Sequence, residues 1–189
     1  MVFSVHPPNH QYGLEVLGSA ARQRLKRGNG SRIHSLIQGT VASWLSSRGF
    51  DVYPEERLGE DLVADIYAES PWATVIVEVE TGFIDPRALD RPEVYLLARV
   101  VAKASRYSRY ADYFTVAIPS YLSLDEAALR AVLSGDPTPL GAGGAWEVLA
   151  LVRRPRPGGL QEARVDAILR VNVTRRSVQV EPLRRGLLL

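Results

Sequence analysis

The chain has 189 residues, 46% of them apolar, with 23 basic against 21 acidic side chains and no cysteine. That is enough for one globular domain, which at this size buries roughly 70% of the surface its unfolded form exposes, and it excludes disulfides and thiolate metal sites. No apolar run approaches the ~20 residues of a membrane helix, and the first residues, MVFSVHPPNHQYG, lack the order of a secretory signal, so an intracellular, cytoplasmic protein with no membrane partner is expected.

In chain order, Tyr12 to Arg27 carries Leu14, Leu17, Ala21 and Leu25 at helical spacing, and GNG at 28–30 breaks it. Residues 1–30 therefore read as a basic helical extension and 31–189 as one α/β domain. Ser31 suits the N-cap of a second helix reaching about Arg48, with Ile33, Leu36, Ile37, Val41, Trp44 and Leu45 on its apolar face. FDVYPEERL alternates as a strand, with Pro54 marking an edge or a bulge. LVADIYA and ATVIVEVE are the next two strands, joined by a turn at SPW. Asp90 is placed to cap the following helix, EVYLLARVVAKASRYSRY, with Pro92 in its first turn. YFTVAIPSY is a fourth strand, and SLDEAALRAVLSG a short helix opened by Ser123 or Asp125. WEVLALVRR, RVDAILRVNV and SVQVEPL read as three final strands, the last two joined by a turn near residues 174–176. Three strands close in sequence form an antiparallel meander, and the long helix then allows a crossover to a parallel strand. The fold class expected is α/β, a mixed central sheet flanked by helices with extra C-terminal strands.

The apolar strands hold three acids, Asp65, Glu78 and Glu80. Charged carboxylates rarely enter a core unless something pairs with them or binds them. Glu78 and Glu80 are two apart and point the same way. A hairpin about Pro71 makes Asp65 their neighbour. Three carboxylates close together repel, and a divalent cation removes that cost. Mg²⁺ takes hard oxygen ligands, so these acids with a backbone carbonyl, that of Val79, form a candidate set. Ordinary decoration of a solvent-facing sheet is the other reading. On the next helix Lys103 and Tyr107 share a face. If that face meets the acids, the ammonium reaches the site. If not, Lys103 is a solvated lysine and Tyr107 a core tyrosine.

Charge is unevenly placed. RQRLKR at 22–27, RRPRP at 153–157 and RR pairs at 175 and 184 surround an acidic stretch from Glu55 to Glu80. A basic surface around an acidic focus suits a polyanion brought to a cation site. Solvated surface charge explains the same pattern.

The succession FDVYPEERL, VADIYA, VIVEVE, KASRY and YFTVAIP resembles the PD-(D/E)xK nuclease superfamily over about residues 31–120. Asp65 matches the family's first acid and Glu78 its second. The usual lysine two residues later is replaced by Glu80, and Lys103 matches members that carry the lysine on the following helix. The Lys103/Tyr107 spacing is also similar to the Gln-x-x-x-Tyr helix motif of RecB-like members. Ala64 stands where the motif has proline. The resemblance implies a restriction-endonuclease-like core and a Mg²⁺- or Mn²⁺-dependent nuclease hydrolysing DNA phosphodiester bonds with inversion at phosphorus. Asp65, Glu78 and Glu80 would be metal ligands and, with Lys103, the catalytic residues. Nucleic acid would be held by Arg22, Arg24, Lys26, Arg27 and Tyr107, and a homodimer is left open. His34 and Gln38, four apart on the first domain helix, share a face that looks into the cleft or, for His34, into core or solvent. Glu55, Glu56 and Glu60 are auxiliary acids of lower rank. The alternative is a nuclease-fold protein without catalysis, a nucleic-acid-binding or assembly module, motivated by the missing Glu-x-Lys lysine. An unrelated α/β protein with decorative acids is the third reading.

Overall fold

The computed structural model describes residues 32–83, 92–135, 161–184 and 187. The expected N-terminal helix with Arg22, Arg24, Lys26 and Arg27, the expected caps Ser31 and Asp90, the boundary expected at residue 30 and the strand expected at WEVLALVRR lie outside the described residues.

Helix α1 spans Arg32–Ser46 and buries Ile37, Val41, Ala42 and Leu45, the apolar stripe expected from the 3.6-residue period. Its end is fixed at Gly49, whose φ of 84° is a conformation that side chains rarely tolerate. Six strands follow: β1 Asp51–Arg57, β2 Val63–Ser70, β3 Ala73–Val79, β4 Tyr113–Pro119, β5 Ala167–Asn172 and β6 Ser177–Pro182. They lie side by side in sequence order. The pairs β1–β2, β2–β3 and β5–β6 are antiparallel, whereas β3–β4 and β4–β5 are parallel. The mixed sheet flanked by helices is thus the architecture observed.

Helix α2, Pro92–Tyr107, carries the chain between the parallel strands β3 and β4. Pro92 opens it, where a missing N–H is harmless. It stops three residues earlier than the sequence pattern suggests, giving way to a 3₁₀ turn at Ser108–Tyr110. Helix α3, Glu126–Leu133, is capped by Asp125, whose Oδ1 accepts from the Ala128 amide at 2.9 Å.

The sheet separates two apolar layers. Ile76, Phe114, Val116, Ile118 and Ile168 pack with Leu96, Leu97, Val100 and Val101 of α2. Ile66, Val75, Val77, Val79, Leu169 and Val171 pack with Ile37, Val41 and Leu45 of α1. Period-2 alternation along β3 therefore turns Val77 and Val79 toward α1 and sends Glu78 and Glu80 to the α2 side.

β1 is an edge strand, which is why Pro54 is tolerated. Its register against β2 runs unbroken from Asp51↔Glu69 to Arg57↔Val63, so Pro54 marks the edge and no residue is inserted. Glu55, flanked by the pairs Pro54↔Ile66 and Glu56↔Ala64, lies across from Asp65 with φ 54°. β2 itself changes face there: Ala64 belongs to the α2-side layer, Ile66 and Ala68 to the α1-side layer. The distortion centres on the candidate acid. Among the described residues no helix is long and apolar enough to cross a membrane.

Candidate active site

The β2–β3 ladder ends at Ile66↔Val77. Beyond it the acids replace the missing backbone partners. The Asp65 amide donates to Glu78 Oε1 at 3.0 Å, and the Val79 amide donates to Asp65 Oδ2 at 2.7 Å. β3 stays bound to β4, because the Glu80 amide donates to the Ala117 carbonyl at 2.8 Å. The strands part on one side only, and the gap opens the Val79 carbonyl and the three carboxylates toward α2.

Lys103 fills that gap. Its Nζ lies 2.8 Å from the Val79 carbonyl oxygen, 3.1 Å from Glu78 Oε2, 3.1 Å from Glu80 Oε1 and 3.5 Å from Asp65 Oδ2. One turn earlier on the same helix face, Arg99 Nε lies 3.0 Å from Glu80 Oε2. The helix face expected to meet the acids does so. Arg99 is not among the residues expected at the site from the sequence, although its i−4 spacing to Lys103 is a readable signal.

From the other side of the sheet, α1 reaches the same acid. His34 Nε2 lies 3.3 Å from Asp65 Oδ1. Gln38, buried, donates through Nε2 to the Asp65 carbonyl at 2.6 Å and to Glu55 Oε1 at 2.8 Å. Both α1 residues thus face the site, and Glu55 joins its rim. The backbone carbonyl of Glu60 accepts from Arg57 Nη1 at 3.0 Å.

Tyr107 is placed differently from the nucleic-acid contact expected of it. It is 6% exposed, it stacks on Phe114 with ring centroids 6.4 Å apart, and its hydroxyl donates to the Val63 carbonyl at 2.9 Å. The ring is large and apolar, and burial with its single polar atom satisfied is its favourable state. It anchors the end of α2 to the start of β2, and so holds Lys103 over the acids.

These contacts set the protonation states. Burial pushes Glu78 up to about 7, with Lys103 pulling down and Asp65 adding to the rise. Burial also acts to raise Asp65, but the His34 hydrogen bond and the Lys103 charge more than offset it and leave Asp65 below its usual value. The bond to Asp65 raises His34, against the opposing effect of burial. Burial works against the charge of Lys103, yet Glu78, Glu80 and Asp65 hold its pKa above the ordinary lysine value.

Glu80 is the unusual member. It is fully buried, and neither carboxylate oxygen makes an aligned hydrogen bond despite the two ion pairs. Asp166, at the opposite end of the sheet, shows the structural alternative. Its Oδ2 accepts from the Phe114 amide at 2.8 Å and its Oδ1 from Arg184 at 3.1 Å. Buried polar groups are normally satisfied in that way. The spare acceptor capacity of Glu80, within an all-oxygen set, fits a hard divalent cation in kind. It does not yet fit in spacing. Among the described residues no three acid or imidazole side chains are gathered at metal-ligand distances, because the oxygens stand around an ammonium.

Fold and site together define an α/β protein with a buried carboxylate–lysine cluster at the open end of a mixed sheet. No protein-family model matches the chain, and no curated protein matches it. An XisH family protein from Nostoc punctiforme PCC 73102, known from its crystal structure, superposes with a TM-score of 0.37 and 14% identity over 78% of this chain and 97% of that one. A likeness this weak carries no argument about function.

Proposed function

We propose that the chain is a metal-dependent nuclease that hydrolyses phosphodiester bonds of DNA. The observation that carries this reading is the convergence of Asp65, Glu78, Glu80 and the Val79 carbonyl on one cation position, with Lys103 there and Arg99 beside it. Asp65, Glu78 and the Val79 carbonyl would hold Mg²⁺ or Mn²⁺, with Glu80 as a further ligand or as a base acting through water. The bound ion would supply charge neutralisation at phosphate and a more acidic water. Lys103 brings the only compact positive charge of the cluster to the phosphate. His34 and Gln38 orient Asp65 from behind. Arg22, Arg24, Lys26 and Arg27 would contact the phosphate backbone.

The test is incubation of end-labelled single-stranded and duplex DNA with the purified chain in Mg²⁺, Mn²⁺ or chelator. Metal-dependent cleavage that is lost in Glu78→Gln supports the reading. A second reading, a nuclease-fold binding or assembly module without catalysis, is favoured by the position of the Lys103 ammonium on the point the acids share. DNA binding without cleavage under every metal condition would select it.

A further inference from the structure

We propose that Lys103 is a built-in occupant of the cation position, and that a divalent ion binds only by displacing its ammonium. The inference rests on the metal reading above only for the identity of the incoming ion. An ammonium has three N–H donors and no acceptor. Here it faces four oxygens, three from carboxylates and one from the Val79 main chain, at 2.8 to 3.5 Å. These are distances set by N–H···O bonds. A magnesium ion needs its oxygens at ~2.1 Å. The same ligands cannot satisfy both at once, and two cations held a few ångströms apart in a buried site repel.

The residue choice supports the same conclusion. The chain has 21 arginines and two lysines, Lys26 and Lys103. Outside the cluster, arginines pair Asp166 (Arg164 and Arg184) and Glu181 (Arg170), and at the edge of the cluster Arg99 pairs Glu80. Among the described residues, only the centre of this cluster uses a compact ammonium on a flexible stem. A planar guanidinium does not fit a point surrounded by oxygens, whereas an ammonium does. The lysine also has somewhere to go. Its side chain keeps 14% of its surface exposed, so it can swing outward toward solvent or an incoming phosphate. Arg99 stays on Glu80 and keeps part of the acid charge matched.

The experiment is calorimetric titration of Mn²⁺ into the native chain, Lys103→Gln and Arg99→Gln. The expected result is binding to Lys103→Gln at least about tenfold tighter than to the native chain, with a clearly smaller gain in Arg99→Gln, which takes a positive charge off Glu80 but leaves the Lys103 ammonium on the cation position. Equal affinity in native and Lys103→Gln overturns the competition while the metal reading stands. An equal gain in Arg99→Gln also overturns it, since general charge then explains the effect. Binding by Lys103→Gln alone supports the competition and contradicts metal dependence in the native chain. No binding by any of the three overturns both. Should Lys103→Gln fail to fold, the native chain gives a second measurement. Acylation of Lys103 by a small amine-reactive anhydride, which transfers its acyl group to Nζ and releases a carboxylate, is read by mass spectrometry relative to Lys26 and rises when Mn²⁺ is added. An unchanged ratio in saturating Mn²⁺ overturns the proposal.

Discussion

The amide of Asp65 donates to the carboxylate of Glu78 at 3.0 Å, at the point where the β2–β3 ladder stops. With the return bond from the Val79 amide to Asp65 Oδ2, it lets two adjacent strands separate without leaving those amides unpaired. The opening is where Lys103 enters.

The first prediction concerns pH. Glu78 is raised from its ordinary value of 4.5 to about 7 in the fold. The folded state then takes up more protons at Glu78 than the unfolded chain does between those values, so the stability that Glu78 contributes is fully present below about pH 4.5 and is lost as pH rises through 7. His34 is raised from 6.5 by its bond to Asp65, so its contribution is likewise lost as pH climbs past 6.5. The two act in the same direction. The decline attributable to Glu78 is at most about 3 kcal/mol. Urea melts of the native chain at pH 5 and pH 8 should show it, and Glu78→Gln should flatten the part below pH 7. A native chain more stable at pH 8 than at pH 5 would contradict the assignment.

Lys103 carries the second. Loss of a charge placed at the transition state typically lowers a rate by ~10²-fold or more. Lys103→Ala should reduce cleavage by roughly that factor while DNA binding changes only a few-fold. Lys103→Arg should rescue poorly, because the planar fork does not replace a point charge. Single-turnover rates at saturating metal separate this effect from the tighter metal binding expected of the same position. Full activity in Lys103→Ala would remove Lys103 from the mechanism.

Gln38 supplies the third. Its one amide nitrogen serves both the Asp65 carbonyl and Glu55, and its removal leaves a buried carbonyl unpaired. Gln38→Ala should destabilise the fold by about 1–3 kcal/mol. Chemical denaturation gives the value directly, and a loss below a few tenths of a kcal/mol would mean that water replaces the amide without penalty.

Much of this was legible in the sequence. Period 3.6 in residues 32–46 and the apolar runs of β2, β3 and β4 gave the elements. The two-residue spacing of Glu78 and Glu80 gave their common face, and the hairpin about Pro71 gave their neighbour Asp65. The spacing of Tyr107 to Lys103 is equally that of a nucleic-acid contact and of a core anchor, and the packing against Phe114 is that of the anchor. The role of Gln38 and the left-handed backbone of Glu55 were not readable, because both depend on how α1 crosses the sheet. Arg99 stands outside the acid and lysine pattern, and its spacing of four from Lys103 is the one sequence signal for its place at the site.

The fourth prediction concerns the basic stretch Arg22, Arg24, Lys26 and Arg27. Phosphate contacts release counterions, so affinity falls with salt in proportion to their number. Replacing all four by alanine should weaken binding similarly across sequences and make the logarithmic salt slope shallower by up to about 3–4. An unchanged slope would assign DNA contact to other residues.

The most direct measurement of the central claim is the single-turnover cleavage rate of labelled DNA by the native chain and by Asp65→Asn, at matched Mn²⁺ and with chelator as control. Asparagine keeps the size of the side chain while removing the charge that faces both His34 and Lys103. The account predicts metal-dependent product from the native chain and a loss of ~10²-fold or more in the variant. Equal cleavage by both, or none by the native chain in Mg²⁺ and Mn²⁺ alike, would contradict it.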